Sequence, residues 1–497
     1  MQSDTAAWKS DAEGYCIPLA DTTSSDLKTS APDPRAPKRH VTANAAHNID
    51  LPNHDANSQE CCSGHTNEIE LVPTAGMFHR EQLTQQAMAG SSGPSAYLNR
   101  DELLSMRTAS LSSAPISLGT RRTNSPHEFY RYPGRFSPAF TRAAISVFSQ
   151  KDDLILDPFV GGGTTAVEAL VSGRRSLVAD LNPLATFVTR VKTRPLAHNS
   201  RLAVQRWIDQ LPQVTLLSRP SPETDIWLDQ GYLKGLDTRL TWRIAKVIRL
   251  ALAIVDPTDA RTEAFCRCIV LRTAQWAFDM RSTVPSVEEF RSTLITHGRA
   301  MLKVAETFAE SLDKTTELPY VMEKGVPGLA DSVSKFTIQK PALVLTSPPY
   351  PGVYVNYHRW KLLGRREIRA PYWIANQLDG HGLAHYTMHA RAEPTLRTYF
   401  DRLRRAFEDI ARLVSATTTV VQLVGFNNPP DQLSRYLSTM NDAGFQEVLF
   451  PELATADDGR LWRSVPSRRW WTEAQSRRSI APHTAQEVVL IHRLKQD

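Results

Sequence analysis

Two short runs in this chain have the make-up of a reaction site. The first is Asp157-Pro158-Phe159-Val160-Gly161-Gly162-Gly163-Thr164-Thr165, and the second is Thr346-Ser347-Pro348-Pro349-Tyr350. Each follows a brief apolar run, residues 154–156 and 342–345, that reads as a buried strand. Glycines accept positive φ and let a backbone approach a ligand closely, and Thr164 and Thr165 are suited to cap a helix that starts there. Strand, glycine loop and helix in that order bind nucleotide-like cofactors, so Gly161, Gly163 and Thr164 are candidate cofactor contacts. Asp180 closes the next strand-like run, 176–179, roughly 20 positions after the loop, where a carboxylate meets ribose hydroxyls. No basic residue of the P-loop kind follows the glycines, which argues against phosphoryl transfer.

The second run suits a flat substrate bearing an amine. An exocyclic amine on a nucleobase is a poor nucleophile, because its lone pair is delocalised into the ring. A catalyst must hold the amine hydrogens with acceptors, so that the nitrogen becomes more tetrahedral, and must align the lone pair with the electrophile. Pro348 and Pro349 fix φ and remove donors, which stiffens a turn that presents carbonyls. Ser347 adds a side-chain acceptor, and Tyr350 adds a ring on which an extruded base can stack.

The elements that must position these runs follow from periodicity. Strand-like runs at 154–156, 176–179, 342–345, 417–424, 446–450 and 487–492 alternate with helical patterns at 164–172 and 396–413. Such alternation predicts an α/β fold with a doubly wound, Rossmann-like sheet. The last two runs lack a crossover helix between them, which predicts one antiparallel strand. Residues 196–320 interrupt the alternation with amphipathic helices at 201–211, 240–254, 262–278 and 287–312, a helical insertion suited to target recognition. The expected divisions are a disordered or linker-like arm over 1–120, a catalytic domain over 121–195 and 321–497, and the insertion at 196–320.

Charge points to a polyanion. Residues 1–110 hold 8 Lys and Arg against 14 Asp and Glu, so the rest of the chain holds 50 against 38. A body with a net charge of +12 suits nucleic acid, whose phosphates supply most non-specific affinity. Basic and aromatic residues interleave just after the proline turn, and Tyr357, Arg359, Arg365 and Arg366 are candidate nucleic-acid contacts. Arg468, Arg469 and Trp470 form a second such cluster. No apolar run approaches the roughly 18 residues of a membrane helix. The N-terminus lacks a secretory pattern, and five cysteines make no disulfide framework, so a cytoplasmic protein is expected. The chemistry needs no metal, and oligomeric state is unknown.

The two runs resemble motifs of the S-adenosylmethionine-dependent DNA amino-methyltransferases. The glycine run is similar to that family's cofactor loop, and Ala179-Asp180-Leu181-Asn182-Pro183 to its second motif. Arg131-Tyr132-Pro133-Gly134-Arg135-Phe136-Ser137-Pro138 resembles the segment packing on the methionine end of the cofactor. The resemblance implies S-adenosylmethionine as cofactor and DNA as partner. It assigns Asp157 to the cofactor's amino group, Asp180 to the ribose, Asp331 to the adenine, and Phe136 and Phe159 to packing against the cofactor. Serine at the head of the Pro-Pro-Tyr turn is more typical of cytosine-N4 than of adenine-N6 methylation. In the family members with the most similar motifs the Pro-Pro-Tyr turn precedes the glycine loop, whereas here Asp157 precedes Ser347. That order also fits tRNA guanine-N2 methyltransferases, which stay open as an alternative. A cognate restriction endonuclease would accompany the DNA reading.

Overall fold

The computed structural model describes residues 125–496, apart from 135, 215–226, 228, 314, 335–338, 352–358, 365, 380–385, 387, 389–394, 427 and 465–485. The expected apolar runs become β1 (Leu154–Asp157), β2 (Arg175–Asp180), β4 (Leu343–Thr346), β7 (Thr419–Gly425), β8 (Phe445–Glu447) and β10 (Gln486–Leu494). Two further strands complete the sheet, β3 (Tyr320–Glu323) and β9 (Leu461–Ser464). The strands run in the order β3-β2-β1-β4-β7-β10-β8, with β9 also paired to β10. The pairs from β3 through β7 are parallel, and β10 runs antiparallel to β7, β8 and β9. The expected α/β architecture with one antiparallel strand is therefore observed. A separate two-stranded ribbon joins β5 (Trp360–Leu362) to β6 (Arg366–Ile368).

Alternate residues of each central strand enter opposite cores, as the pleat demands. Leu156, Val344, Val420 and Leu490 face one side, and Ile155, Leu343, Val421 and Val489 face the other. The helices in chain order are α1 (Pro138–Phe148), α2 (Thr164–Val171), α3 (Pro183–Thr193), α4 (His198–Gln210), α5 (Trp242–Ala253), α6 (Ala260–Phe278), α7 (Val287–Ser311), α8 (Leu329–Val333), α9 (Ala370–Ala375), α10 (Thr395–Leu413) and α11 (Pro429–Asp442). The first face is covered by α8, α10 and α11 through Leu329, Tyr399, Phe407 and Tyr436, and the second by α1 through Phe140 and Ile145. Such cover on both faces explains why the parallel strands read as continuous apolar runs.

Helices α4 to α7 occupy 198–311, and α7 starts on a capping box between Ser286 and Glu289. They share one core with Leu184 and Val188 of α3 and with Trp360, Tyr372 and Trp373. Among the described residues no helix is long and apolar enough to cross a membrane.

The chain goes from β1 outward to β2 and β3 and then returns to β4 on the other side of β1. In an open α/β sheet the crevice above such a reversal, at the carboxyl ends of the strands, is where ligands bind. Asp157, Asp180 and Thr346 are the last residues of β1, β2 and β4, so the reversal gathers both motifs at one edge.

Candidate active site

That edge opens into a cavity of about 440 Å³, lined among others by Asp157, Gly161, Asp180, Ser347 and Pro349. Asp157 is 1% exposed. Its Oδ1 accepts from the backbone N–H of Phe159 at 3.1 Å and from the Thr346 hydroxyl at 2.7 Å. One carboxylate thus ties the glycine loop to the strand that carries the proline turn. Burial pushes the Asp157 carboxyl up to about 6, against the opposing pull of its hydrogen bonds. Asp180 accepts from the N–H of Gly161 at 2.8 Å on Oδ2 and of Asn182 at 2.8 Å on Oδ1, and burial pushes it to about 6 as well.

The loop between β1 and α2 needs its glycines. Gly163 has φ 79°, and a Cβ there would lie 2.8 Å from the Thr189 hydroxyl oxygen. Gly161 has φ 50°, and its Cβ would press on the Tyr132 ring at 3.3 Å. The expected threonine cap is not formed: Gly163 is the N-cap of α2, with no side-chain cap bond, and Thr164 is the first helical residue. Thr164 still lines the cavity. The loop is strapped from behind by Lys192 of α3, 2% exposed, whose Nζ donates to the Gly162 carbonyl at 2.8 Å and the Tyr130 carbonyl at 3.3 Å.

These features fit S-adenosylmethionine. The cavity has the size of a cofactor site. Two carboxyls at strand ends suit an ammonium and a ribose diol. Phe136 and Phe159 supply apolar wall, Phe136 being braced by Phe140 at a ring separation of 6.3 Å. Gly161 lines the cavity, whereas Gly163 does not: it packs against Thr189, where a Cβ would clash.

The proline turn differs in part from expectation. Ser347 and Pro349 line the cavity, whereas Pro348 is buried and Tyr350 turns into the core beneath α10. Tyr350 is 6% exposed and its hydroxyl donates to Glu487 at 2.9 Å, so its ring is not presented to the cavity as a stacking face. The Ser347 hydroxyl lies 3.0 Å from the Leu423 carbonyl and 3.2 Å from the Tyr350 hydroxyl. Tyr399 of α10 donates to the Pro349 carbonyl at 2.7 Å and holds the turn from above.

Asp331 is also placed elsewhere. It sits exposed on α8, pairs with Arg412 and does not line the cavity, whose wall in this region is Gly325, Val326 and Pro327. The physical reason is the packing of α8, which buries Leu329, Ala330 and Val333 and leaves Asp331 on the solvent side. Arg359 pairs with Glu367 at 3.8 Å, Arg366 is exposed on β6, and neither lines the cavity. Tyr357, Arg365, Arg468, Arg469 and Trp470 lie outside the described residues.

Other cavity residues were not singled out from sequence. Asn182 belongs to a quoted motif, but its role needed the structure: it receives the Tyr372 hydroxyl at 2.9 Å and donates to the Tyr132 hydroxyl at 3.0 Å. Tyr386 lines the cavity and donates to buried Asp379 at 2.7 Å. Arg402 and Arg405, one turn apart on α10, also line it. Their i, i+3 spacing inside an amphipathic run was the available signal.

Residues 112–186 match a family model for N6 and N4 methyltransferases, described as DNA methylase. The Type II methyltransferase M.MvaI of Kocuria varians is 32% identical over 82 residues, 16% of this chain and 18% of that protein. The Type II methyltransferase M.MjaII of Methanocaldococcus jannaschii is 32% identical over 71 residues, 14% of this chain and 13% of that protein. The matched stretches thus span less than a fifth of those relatives. Among solved structures, TrmN from Thermus thermophilus aligns at 12% identity and a TM-score of 0.27, covering 76% of this chain and 53% of that one. The rRNA methyltransferase aviRa from Streptomyces viridochromogenes aligns at 10% identity and a TM-score of 0.30, covering 76% and 95%. The chain resembles the S-adenosylmethionine-dependent DNA amino-methyltransferases over the segment that holds the glycine loop and Asp180, and S-adenosylmethionine is the methyl donor this implies.

Proposed function

We propose that the protein transfers a methyl group from S-adenosylmethionine to the exocyclic amine of a DNA base, and that the base is cytosine, methylated at N4. The observation that carries the reading is that Ser347 and Pro349 line the same cavity as Asp157, Gly161 and Asp180. Bound there, S-adenosylmethionine supplies an electrophilic methyl group on a sulfonium. Ionised Asp157 would pair with the ammonium of its amino-acid end, and Asp180 would accept from a ribose hydroxyl. Phe136 and Phe159 pack on the donor and exclude water.

The Ser347 hydroxyl accepts a hydrogen bond from the substrate amine, which draws the nitrogen toward tetrahedral geometry and frees its lone pair. The N–CH3 bond would form as the S–CH3 bond breaks, with S-adenosylhomocysteine leaving and one amine proton released. The prolines fix the turn, so this acceptor is set before the base arrives. A base inside a duplex cannot reach such a cavity and is extruded into it. Arg402 and Arg405 meet the phosphates beside the extruded base. Cytosine is preferred to adenine because the turn opens with serine, in the manner typical of cytosine-N4 methylation. The 196–320 helices serve target recognition, and a cognate restriction endonuclease is a further partner, in keeping with the Type II names of the relatives. Parallel incubation of duplex DNA and tRNA with methyl-labelled donor tests the substrate class. Label is expected in DNA, and label confined to tRNA would reject the reading.

A further inference from the structure

Because β10 runs antiparallel, its first residues lie at the carboxyl edge of the parallel strands, beside the catalytic turn. Glu487 pairs in register with Gly425, the last residue of β7. It is 4% exposed, and its Oε1 accepts from the Tyr350 hydroxyl at 2.9 Å. Tyr350 in turn lies 3.2 Å from the Ser347 hydroxyl, and Ser347 is the residue of the three that lines the cavity. A carboxyl group from the last strand therefore reaches Ser347 through one phenol.

We infer that Glu487 is a positioning residue that keeps Ser347 a hydrogen-bond acceptor toward the substrate amine. This rests on the amine-methylation reading given above. A carboxylate only accepts, so it takes the single hydrogen of the Tyr350 hydroxyl. The Tyr350 oxygen then faces Ser347 as an acceptor. The one Ser347 hydrogen goes to Tyr350 or to the Leu423 carbonyl at 3.0 Å, in either case away from the cavity. Its lone pairs stay available for the amine hydrogen. Without Glu487, Tyr350 is able to turn its hydrogen onto Ser347 and occupy a lone pair that the reaction needs. Asp157, assigned to the donor, bonds Thr346 rather than Ser347, so donor affinity is expected to be unaffected.

The test is a set of isosteric variants assayed for kcat, for KM with DNA and for donor affinity. Glu487→Gln supplies an amide that is able to donate to Tyr350 and reverse the chain. It is expected to lower kcat roughly tenfold, with KM for DNA and donor affinity unchanged. Tyr350→Phe leaves Ser347 bonded to Leu423 and is expected to stay within about threefold of wild type. The double variant E487Q/Y350F is expected to recover to the Tyr350→Phe level, because no hydroxyl remains to be reversed. A loss of packing would instead add up in the double variant, so a double no better than E487Q overturns the inference, as does an E487Q enzyme with wild-type kcat. Should E487Q fail to fold, the apolar pair E487L/Y350F replaces both partners, and retention of kcat within about threefold supports the inference while a tenfold loss overturns it. Absence of transfer by the wild-type protein would reject the amine-methylation reading itself. Transfer by wild type with an unaffected E487Q rejects only the role of Glu487.

Discussion

Asp157 and Asp180 carry carboxyls raised to about 6 by burial, and this gives cofactor binding a pH signature. Between roughly pH 4 and 6 the folded chain keeps protons that an unfolded chain has released, so these two groups favour folding at the acid end of the window. Half-buried His297 and buried His492 oppose them. Burial lowers their values to about 4 and about 3, so their contribution to stability is lost as pH falls from about 6.5. The two effects offset each other in thermal stability, which makes donor affinity the clearer readout. Binding an ammonium needs Asp157 ionised. Donor affinity is therefore expected to be flat above pH 7 and to fall up to about tenfold per unit below pH 6, measured by calorimetric titration. An affinity unchanged down to pH 5 would contradict the assignment of Asp157. At this scale the cofactor loop was readable from sequence, because Gly161, Gly162 and Gly163 between a strand and a helix allow the close backbone approach that a ligand needs. Asp331 was not, since a polar residue in a short helix faces whichever side its apolar neighbours leave, here toward Arg412. Tyr350 was not either, because the reach of its hydroxyl depends on Glu487, which lies 137 positions away.

Helix α10 ties the proline turn to α8. Tyr399 near its start bonds Pro349, and Asp409 near its end accepts from the N–H of Ala330 on α8. Arg404 and Arg412 are engaged with Glu408, Asp331 and Asp409, while Arg402 and Arg405 face the cavity. If those two meet phosphates, the double substitution R402Q/R405Q removes about two released counterions. The slope of log affinity for DNA against log salt should become shallower by roughly 2, with donor affinity intact. An unchanged slope measured by fluorescence anisotropy would place the phosphate contacts elsewhere. The helix itself was legible from its period, but which face meets the cavity is fixed only by the sheet beneath it. Strand β3 escaped because its short run at 320–322 directly follows Pro319 and lies half-buried at the sheet edge. Strand β9 escaped because its short run carries Arg463 beside Trp462 and is defined by pairing to β10.

At the scale of the whole molecule, the switch in strand order between β1 and β4 brings together motifs 189 positions apart, as the Thr346 to Asp157 bond records. The alternation of strands and helices was enough to foresee the doubly wound sheet and its antiparallel strand. The sharing of one core by α3 and the helices of 198–311 was not foreseeable, because amphipathic periods do not name their partners. The acidic residues 1–110 precede the family match, which begins at 112. Deleting 1–110 is expected to leave the melting temperature unshifted and methyl transfer within about twofold of the full chain. Loss of folding in calorimetry would contradict that expectation. The proposed chemistry stands or falls on one cavity holding both a methyl donor at the glycine loop and a base amine at Ser347. Nucleoside mass spectrometry decides it, on duplex DNA incubated with deuteromethyl S-adenosylmethionine and either wild-type protein or Ser347→Ala. Deuterated N4-methylcytosine is expected with the wild type and at least tenfold less with the variant, at unchanged donor affinity. Absence of both N4-methylcytosine and N6-methyladenine from the wild-type reaction, with donor bound, would refute the shared cavity as a site of DNA methylation.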